Sequence, residues 1–193
     1  SDYMRPAIRI ACLSGVRCLY IFTHDSIGVG EDGPTHQPIE QIMGLRGVPN
    51  LTVFRPSDAQ ETVHAFKAAI SRIDGPTALI LTRQDVPVID RKKCAQAKGL
   101  EQGGYILWES EKTMPDVILI STGSELSLAL EAAYVLSNDN IKVRVVSMPC
   151  WEIFDGQCLE YRVSVLPPDV KARVAVEAGL RLGWEHYVGL EGV

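Results

Sequence analysis

Three short apolar runs limit what this chain can fold into: Cys18 to Phe22, Leu51 to Phe54, and Thr77 to Thr82. Each is strand-length, and the stretches between them carry apolar residues at helical spacing. Strand–helix–strand–helix–strand order is satisfied by a parallel sheet with right-handed crossovers, the α/β class. A helix-like segment at 4–15, apolar at Met4, Ile8, Ala11 and Cys12, precedes the first run. The pattern predicts a buried first strand at about 17–23 and a helix resuming near His36 on Ile39, Ile42 and Met43. After the second strand, Ser57 reads as an N-cap with Gln60 three residues on. The helix that follows is expected to bury Val63, Phe66 and Ile70.

Residues 85–104 break this rhythm. Val86-Pro-Val88, Asp90-Arg-Lys-Lys93 and Gln102-Gly-Gly104 predict an exposed connector at 85–103 between a first unit, 1–84, and a second, 104–193. The rhythm then restarts with a strand from Val117 to Ile120 and a helix from Glu125 to Leu136 burying Leu126, Ala129, Leu130 and Ala133. Further strands are expected from Val143 to Met148 and from Arg173 to Glu177, with a helical segment from Tyr161 to Leu166. The expectation is two three-layer α/β units with mainly parallel sheets, each three-stranded, sharing no sequence repeat. The opening Ser1-Asp-Tyr-Met-Arg-Pro6 and the end at Val193 read as cut edges, so the chain is expected to be a fragment.

A composition of 46% apolar and 22% charged residues is that of an ordinary soluble globular protein. The net charge of −5 offers no basic surface for nucleic acid at this level. Five cysteines, an odd number with no C-x-x-C pair, read as free thiols in a reducing compartment. No apolar run approaches the ~18 residues of a membrane helix. These features point to a cytoplasmic protein, with an organellar location left open.

The chemistry-bearing residues gather after the first-unit strands, which end at His24, Arg55 and Arg83. In open α/β sheets, ligands bind beyond the carboxyl ends of the strands. A cationic cluster there suits an anion, which a guanidinium grips through paired hydrogen bonds. The competing reading pairs Arg55 and Arg83 with Asp25, Asp58 or Asp85 as structural ion pairs, and weighs more for Arg55. His24 and His36 bracket a loop containing Gly28, Gly30, Gly33, Asp25, Glu31 and Asp32. Their spacing is wrong for a shared metal, and no metal site is expected. As acid–base or hydrogen-bonding groups they are better placed. The acidic residues depart from the dinucleotide fingerprint, and Asp32 suits a hydroxylated ligand. His64, His186 and the aromatic residues Trp151, Trp184 and Tyr187 read as packing or surface groups. Thr122-Gly-Ser-Glu125 resembles an anion-binding helix start, and a plain N-cap explains Ser124 equally well.

The stretch from Thr23 to Pro38, THDSIGVGEDGPTHQP, closely resembles the transketolase motif. The resemblance continues through Arg55-Pro-Ser-Asp58, Leu81-Thr-Arg-Gln84, Ser121-Thr-Gly-Ser-Glu125, Val143 to Pro149 and Ala172 to Ala178, over essentially the whole chain. It implies the later part of a pyrimidine-binding domain followed by a truncated carboxyl-terminal domain. It also implies a two-carbon transfer between sugar phosphates in the pentose phosphate pathway or Calvin cycle. The cofactors it implies are thiamine diphosphate and Mg2+, at a site between the subunits of a homodimer and bound mainly by regions outside this chain. By motif position, His24 and Arg83 would bind the sugar phosphate and Asp32 an acceptor hydroxyl. His36 would act near the reacting carbons, and Tyr3 would lie near the pyrimidine ring. A dihydroxyacetone synthase, another thiamine-diphosphate enzyme, and a non-catalytic assembly protein of the same fold are the competing readings. The fragment by itself is expected to be inactive.

Overall fold

The computed structural model describes residues 2–30 and 33–193. In the first half, α1 (Arg5–Leu13), β1 (Leu19–Phe22), α2 (Gln41–Arg46), β2 (Thr52–Phe54), α3 (Ala59–Ser71) and β3 (Thr77–Ile80) follow one another. The second half contributes β4 (Tyr105–Glu109), β5 (Val117–Ser121), α4 (Leu126–Asn138), β6 (Val143–Ser147), α5 (Trp151–Asp155), α6 (Leu159–Val165), β7 (Arg173–Val176) and α7 (Glu185–Val188). The strands form two separate sheets, one in the order β1-β3-β2 and one in the order β4-β6-β5-β7. The first is wholly parallel, and in the second only the β4–β6 pair is antiparallel. The mainly parallel α/β class expected from the sequence is what the chain adopts.

Alternation along the strands distributes the core. On β3, Leu79 faces one apolar cluster while Ala78 and Ile80 face another with Ile8, Ile42 and Leu45 of α1 and α2. On β5, Leu119 joins the Leu79 cluster, whereas Ile118 and Ile120 pack with Trp151, Phe154 and Tyr187. The period-2 pleat thus makes each sheet a wall between two apolar layers. The middle cluster belongs to both sheets, holding Phe54, Ala65 and Leu79 together with Leu107, Leu126 and Val145.

That shared layer explains where the structure departs from expectation. Helix α3 buries Glu61, Ala65 and Ala69, while Val63 and Ile70 are 66% and 57% exposed. Small Ala65 and Ala69, one turn apart, let the helix backbone approach its neighbours closely, so Val63 and Ile70 turn outward while Phe66 packs half-buried against the layer, as expected. The segment expected to be an exposed connector is instead packed here: Ile89, Cys94, Ala97 and Leu100 are buried in the same layer or beside it. The N-cap of α3 is Asp58 and not Ser57. Asp58 Oδ1 accepts from the Glu61 backbone N–H at 2.8 Å, and Glu61 Oε2 accepts from the Ser57 N–H at 2.8 Å. This is the reciprocal capping pattern shifted by one residue.

Two strand expectations also change. β1 is an edge strand with Ile21 51% exposed, because it pairs with β3 alone. The second sheet has four strands, the fourth being β4, whose alternating buried Tyr105 and Leu107 follow Gly103-Gly104. Helix α2 starts at Gln41, and Pro34–His36 is a separate single 3-10 turn.

Candidate functional site

The loop after β1 is held from below and open above. His24 sits in the left-handed region at φ 64°, which histidine tolerates better than most residues. Asp25, Ser26 and Val29 point into the body and are buried, while His24 and Ile27 are exposed. Gly28 rests against the Gln84 side chain. The loop therefore lies on the segment that follows β3, next to Arg83. Phe22 and Ile80 are partners in the parallel register, and the Leu81 N–H donates to the Phe22 carbonyl at 2.8 Å. His24 and Arg83 thus leave neighbouring strands at the same sheet edge, two and three residues past their ends. Among the described residues Arg83 has no ion-pair or hydrogen-bond partner, and its residue is exposed.

His36 is exposed on the Pro34–His36 turn, where its Nδ1 lies 3.0 Å from Thr35 Oγ1. Gln37 donates to the Gly30 carbonyl at 3.1 Å and closes this turn onto the glycine loop. No hydrogen bond joins His36 to His24 or Arg83 among the described residues. Asp32 lies outside them. Tyr3 is fully exposed, and its neighbour Asp2 accepts from Gln41 Nε2 at 2.8 Å, which sets this turn against the start of α2. A cleft of about 480 Å³ lined by Asn50, Thr52, Arg72, Asp74 and Glu152 opens at the opposite, amino end of β2 and β3.

Arg55, the third cation after a strand, has a different fate. It is completely buried. Its Nε and Nη2 donate to Asp25 Oδ2 at 2.9 and 2.6 Å, and its Nη1 donates to Glu125 Oε2 at 2.5 Å and to the Thr122 carbonyl at 3.0 Å. Glu177 Oε1 stands 3.7 Å away. Burial alone would depress the guanidinium pKa, but Glu125, Asp25 and Glu177 outweigh it and hold the group above its ordinary range. Glu177 in turn takes a bidentate fork from Arg46, both bonds 2.9 Å, and the Trp184 indole N–H at 2.8 Å. Burial pushes the Glu177 carboxyl up, yet Arg46 and Arg55 bring it below the usual glutamate value. The Arg46 guanidinium also lies 3.9 Å over the Trp151 ring. Gly123, at φ 61°, is required here, because a Cβ would come within 2.5 Å of the Arg55 guanidinium.

Sequence reasoning passed over Glu125, Glu177 and Arg46. Glu125 and Glu177 follow β5 and β7, so the strand-end rule that singled out His24 and Arg83 could have found both. Ser124 is no helix cap; its hydroxyl donates to Glu125 Oε1. His64 joins Glu101 on the surface of α3, consistent with a packing role.

The comparisons with known proteins bear on the whole of this arrangement. Residues 1–88 match the family described as transketolase, pyrimidine binding domain, and residues 103–193 match the transketolase-like TK C-terminal domain. The chain belongs to the transketolase family. It is 52% identical to the transketolases of Aquifex aeolicus and Bacillus subtilis over its full length, and spans 28% and 29% of theirs. The transketolase structure from Leishmania mexicana superposes with a TM-score of 0.90 at 45% identity, over 97% of this chain and 27% of that one. A split-gene transketolase described as an inactive β4 tetramer matches with a TM-score of 0.68 at 27% identity, over 98% of this chain and 56% of that one. The family relation extends across both sheets and the buried cluster between them, since these matches run through every element described above.

Proposed function

We propose that this chain is part of a transketolase that moves a two-carbon ketol unit from a ketose phosphate to an aldose phosphate, in the pentose phosphate pathway or the Calvin cycle. The observation that carries the reading is Arg83, an exposed guanidinium without a partner among the described residues, beside His24 at the carboxyl edge of a parallel sheet. In this reading Arg83 and His24 bind the sugar phosphate, and Asp32 binds an acceptor hydroxyl. His36 hydrogen-bonds or exchanges a proton at the oxygens next to the reacting carbons. The two histidines are exposed on one loop, as contact with a diffusing sugar requires.

Thiamine diphosphate supplies the carbanion chemistry of the carbon–carbon cleavage when bound. Tyr3 fits the pyrimidine end of that group, because its ring is fully exposed and its turn is fixed at α2. Mg2+ needs oxygen ligands, and the anionic diphosphate needs that metal and hydrogen-bond donors; among the described residues no three His, Cys, Asp or Glu gather for a metal. Other regions of the enzyme would hold them. Exposed Ile10 and Leu13 of α1 and Ile21 on the β1 edge strand offer apolar surface for those regions or for the second subunit of a homodimer. Among the described residues no helix is long and apolar enough to cross a membrane. The free cysteines fit a reducing compartment, and the cytoplasm is the one we propose.

Steady-state kinetics on the full-length enzyme test this division of labour. Arg83→Ala is expected to raise the Michaelis constant for phosphorylated sugars, whereas His36→Ala is expected to lower turnover more than it raises that constant. Equal effects confined to the Michaelis constant in both variants would sink it. The chain alone is expected to show no turnover with thiamine diphosphate and Mg2+ present.

A further inference from the structure

The buried charges beneath the loop contact one another and not the open face above, so they are not ligands of the sugar. They are what the loop stands on. Asp25 follows His24, and its Oδ2 takes both bonds of the Arg55 fork while its Oδ1 is buried without a partner among the described residues. Ser26 Oγ, also buried, adds a longer contact to Arg55 at 3.4 Å. The His24 side chain itself bonds, among the described residues, only to adjacent Thr23, at 3.0 Å. Among the described residues, the side-chain anchorage of 24–26 therefore passes through Arg55.

Arg55 is in turn immobilised by the second sheet. Its N–H donates to the Pro149 carbonyl at 2.9 Å, and its own carbonyl accepts from the Gly123 N–H at 3.1 Å and the Thr122 hydroxyl at 3.0 Å. Glu125 is fixed by the Ala178 N–H at 3.0 Å and by Ser124. Asp25, Arg55, Glu125 and Glu177 all follow the carboxyl ends of strands, two from each sheet. We propose that Arg55 and Glu125 are positioning residues, through which the carboxyl-terminal half of the chain sets the place of His24 in a sugar-phosphate site it does not touch. The inference rests on the assignment of His24 to the phosphate, and its test separates the two.

The relay is read in the full-length enzyme with Glu125→Gln, which keeps the shape of the side chain and removes its charge. Hydrogen exchange of the amides at 23–30 should quicken about tenfold, with those of β5 and β6 unchanged. The Michaelis constant for a ketose phosphate should rise about tenfold, and that for the same ketose without phosphate should stay within about twofold. In a His24→Ala background the added charge removal should change the phosphate Michaelis constant by less than about twofold, because the two acts share one route. Asp25→Asn, which leaves the second sheet untouched, should reproduce the same set of changes and serves if Glu125→Gln does not fold. Unchanged exchange at 23–30, or effects of Glu125→Gln and His24→Ala that simply multiply, would overturn the relay. If His24→Ala leaves the phosphate Michaelis constant unchanged, the ligand assignment of His24 falls, and hydrogen exchange alone then decides whether Glu125 holds the loop.

Discussion

Arg55 and Arg83 follow neighbouring strands of one sheet at the same edge, yet they occupy opposite electrostatic worlds. Arg55 is completely buried and gripped by Asp25 and Glu125, with Glu177 close by. Arg83 is exposed and has no partner among the described residues. The difference lies in what stands above each strand end. β2 ends under the second sheet, whose β5 and β7 deliver Glu125 and Glu177, whereas β3 ends beneath the glycine loop. One arginine thereby holds two halves together, and the other is the one we propose meets an anion. Strand-end position identifies where a ligand can bind; the partners already present decide which cation is free to bind it.

Substitutions can break this contrast, beginning with the largest effect. Arg55→Ala leaves Asp25 and Glu125 without their cation in a buried setting, and stability is expected to fall by ~3–5 kcal/mol in denaturant unfolding of the full-length enzyme. A loss below about 1 kcal/mol would mean that water or Arg46 replaces the guanidinium. Glu177→Gln should act next, and mainly through pH. Its folded pKa lies below the ~4.3 of an unfolded glutamate, so its contribution is complete above that value and is lost as pH falls through the depressed one. The variant should be less stable near neutrality, and its stability should decline less steeply in acid. Parallel acid limbs for the two proteins would remove Glu177 from the knot. Arg83→Ala should be the smallest, within about 0.5 kcal/mol of the parent in the same unfolding measurement, because its exposed side chain bonds to none of the described residues.

The legible parts of this chain were those governed by local pattern. Leu126, Ala129, Leu130 and Ala133 were readable as the buried stripe of α4 because they recur at helical spacing and the helix packs on β5 and β6, its neighbours in sequence. The α3 stripe was misread for a tertiary reason. Val63 and Ile70 satisfy the helical period, but close packing between two sheets favours Ala65 and Ala69, and buried Glu61 is satisfied by Tyr105 and Ser147, each donating at 2.7 Å, together with the Ser57 N–H. Tyr105 lies 44 residues away, beyond any local window. The site divides in the same way. His24 and Arg83 could be named from strand ends alone, whereas the pairing of Arg55 with Glu125 spans 70 residues and two sheets. The segment at 85–103 misled because its polar residues suggested exposure, yet Asp58 accepts from the Ile89 N–H at 3.0 Å and from Arg91 at 3.1 Å, drawing it onto α3.

The central claim is that Arg83 serves a phosphorylated ligand while Arg55 serves the fold. Calorimetric titration of a ketose phosphate into the full-length Arg83→Ala enzyme, beside its unfolding curve, tests this most directly. The account expects the dissociation constant to rise by the equivalent of ~1.5–3 kcal/mol, the loss of a charge-assisted hydrogen-bonded pair, with the unfolding midpoint unchanged. An unchanged dissociation constant, or a loss of stability as large as that of Arg55→Ala, would contradict it.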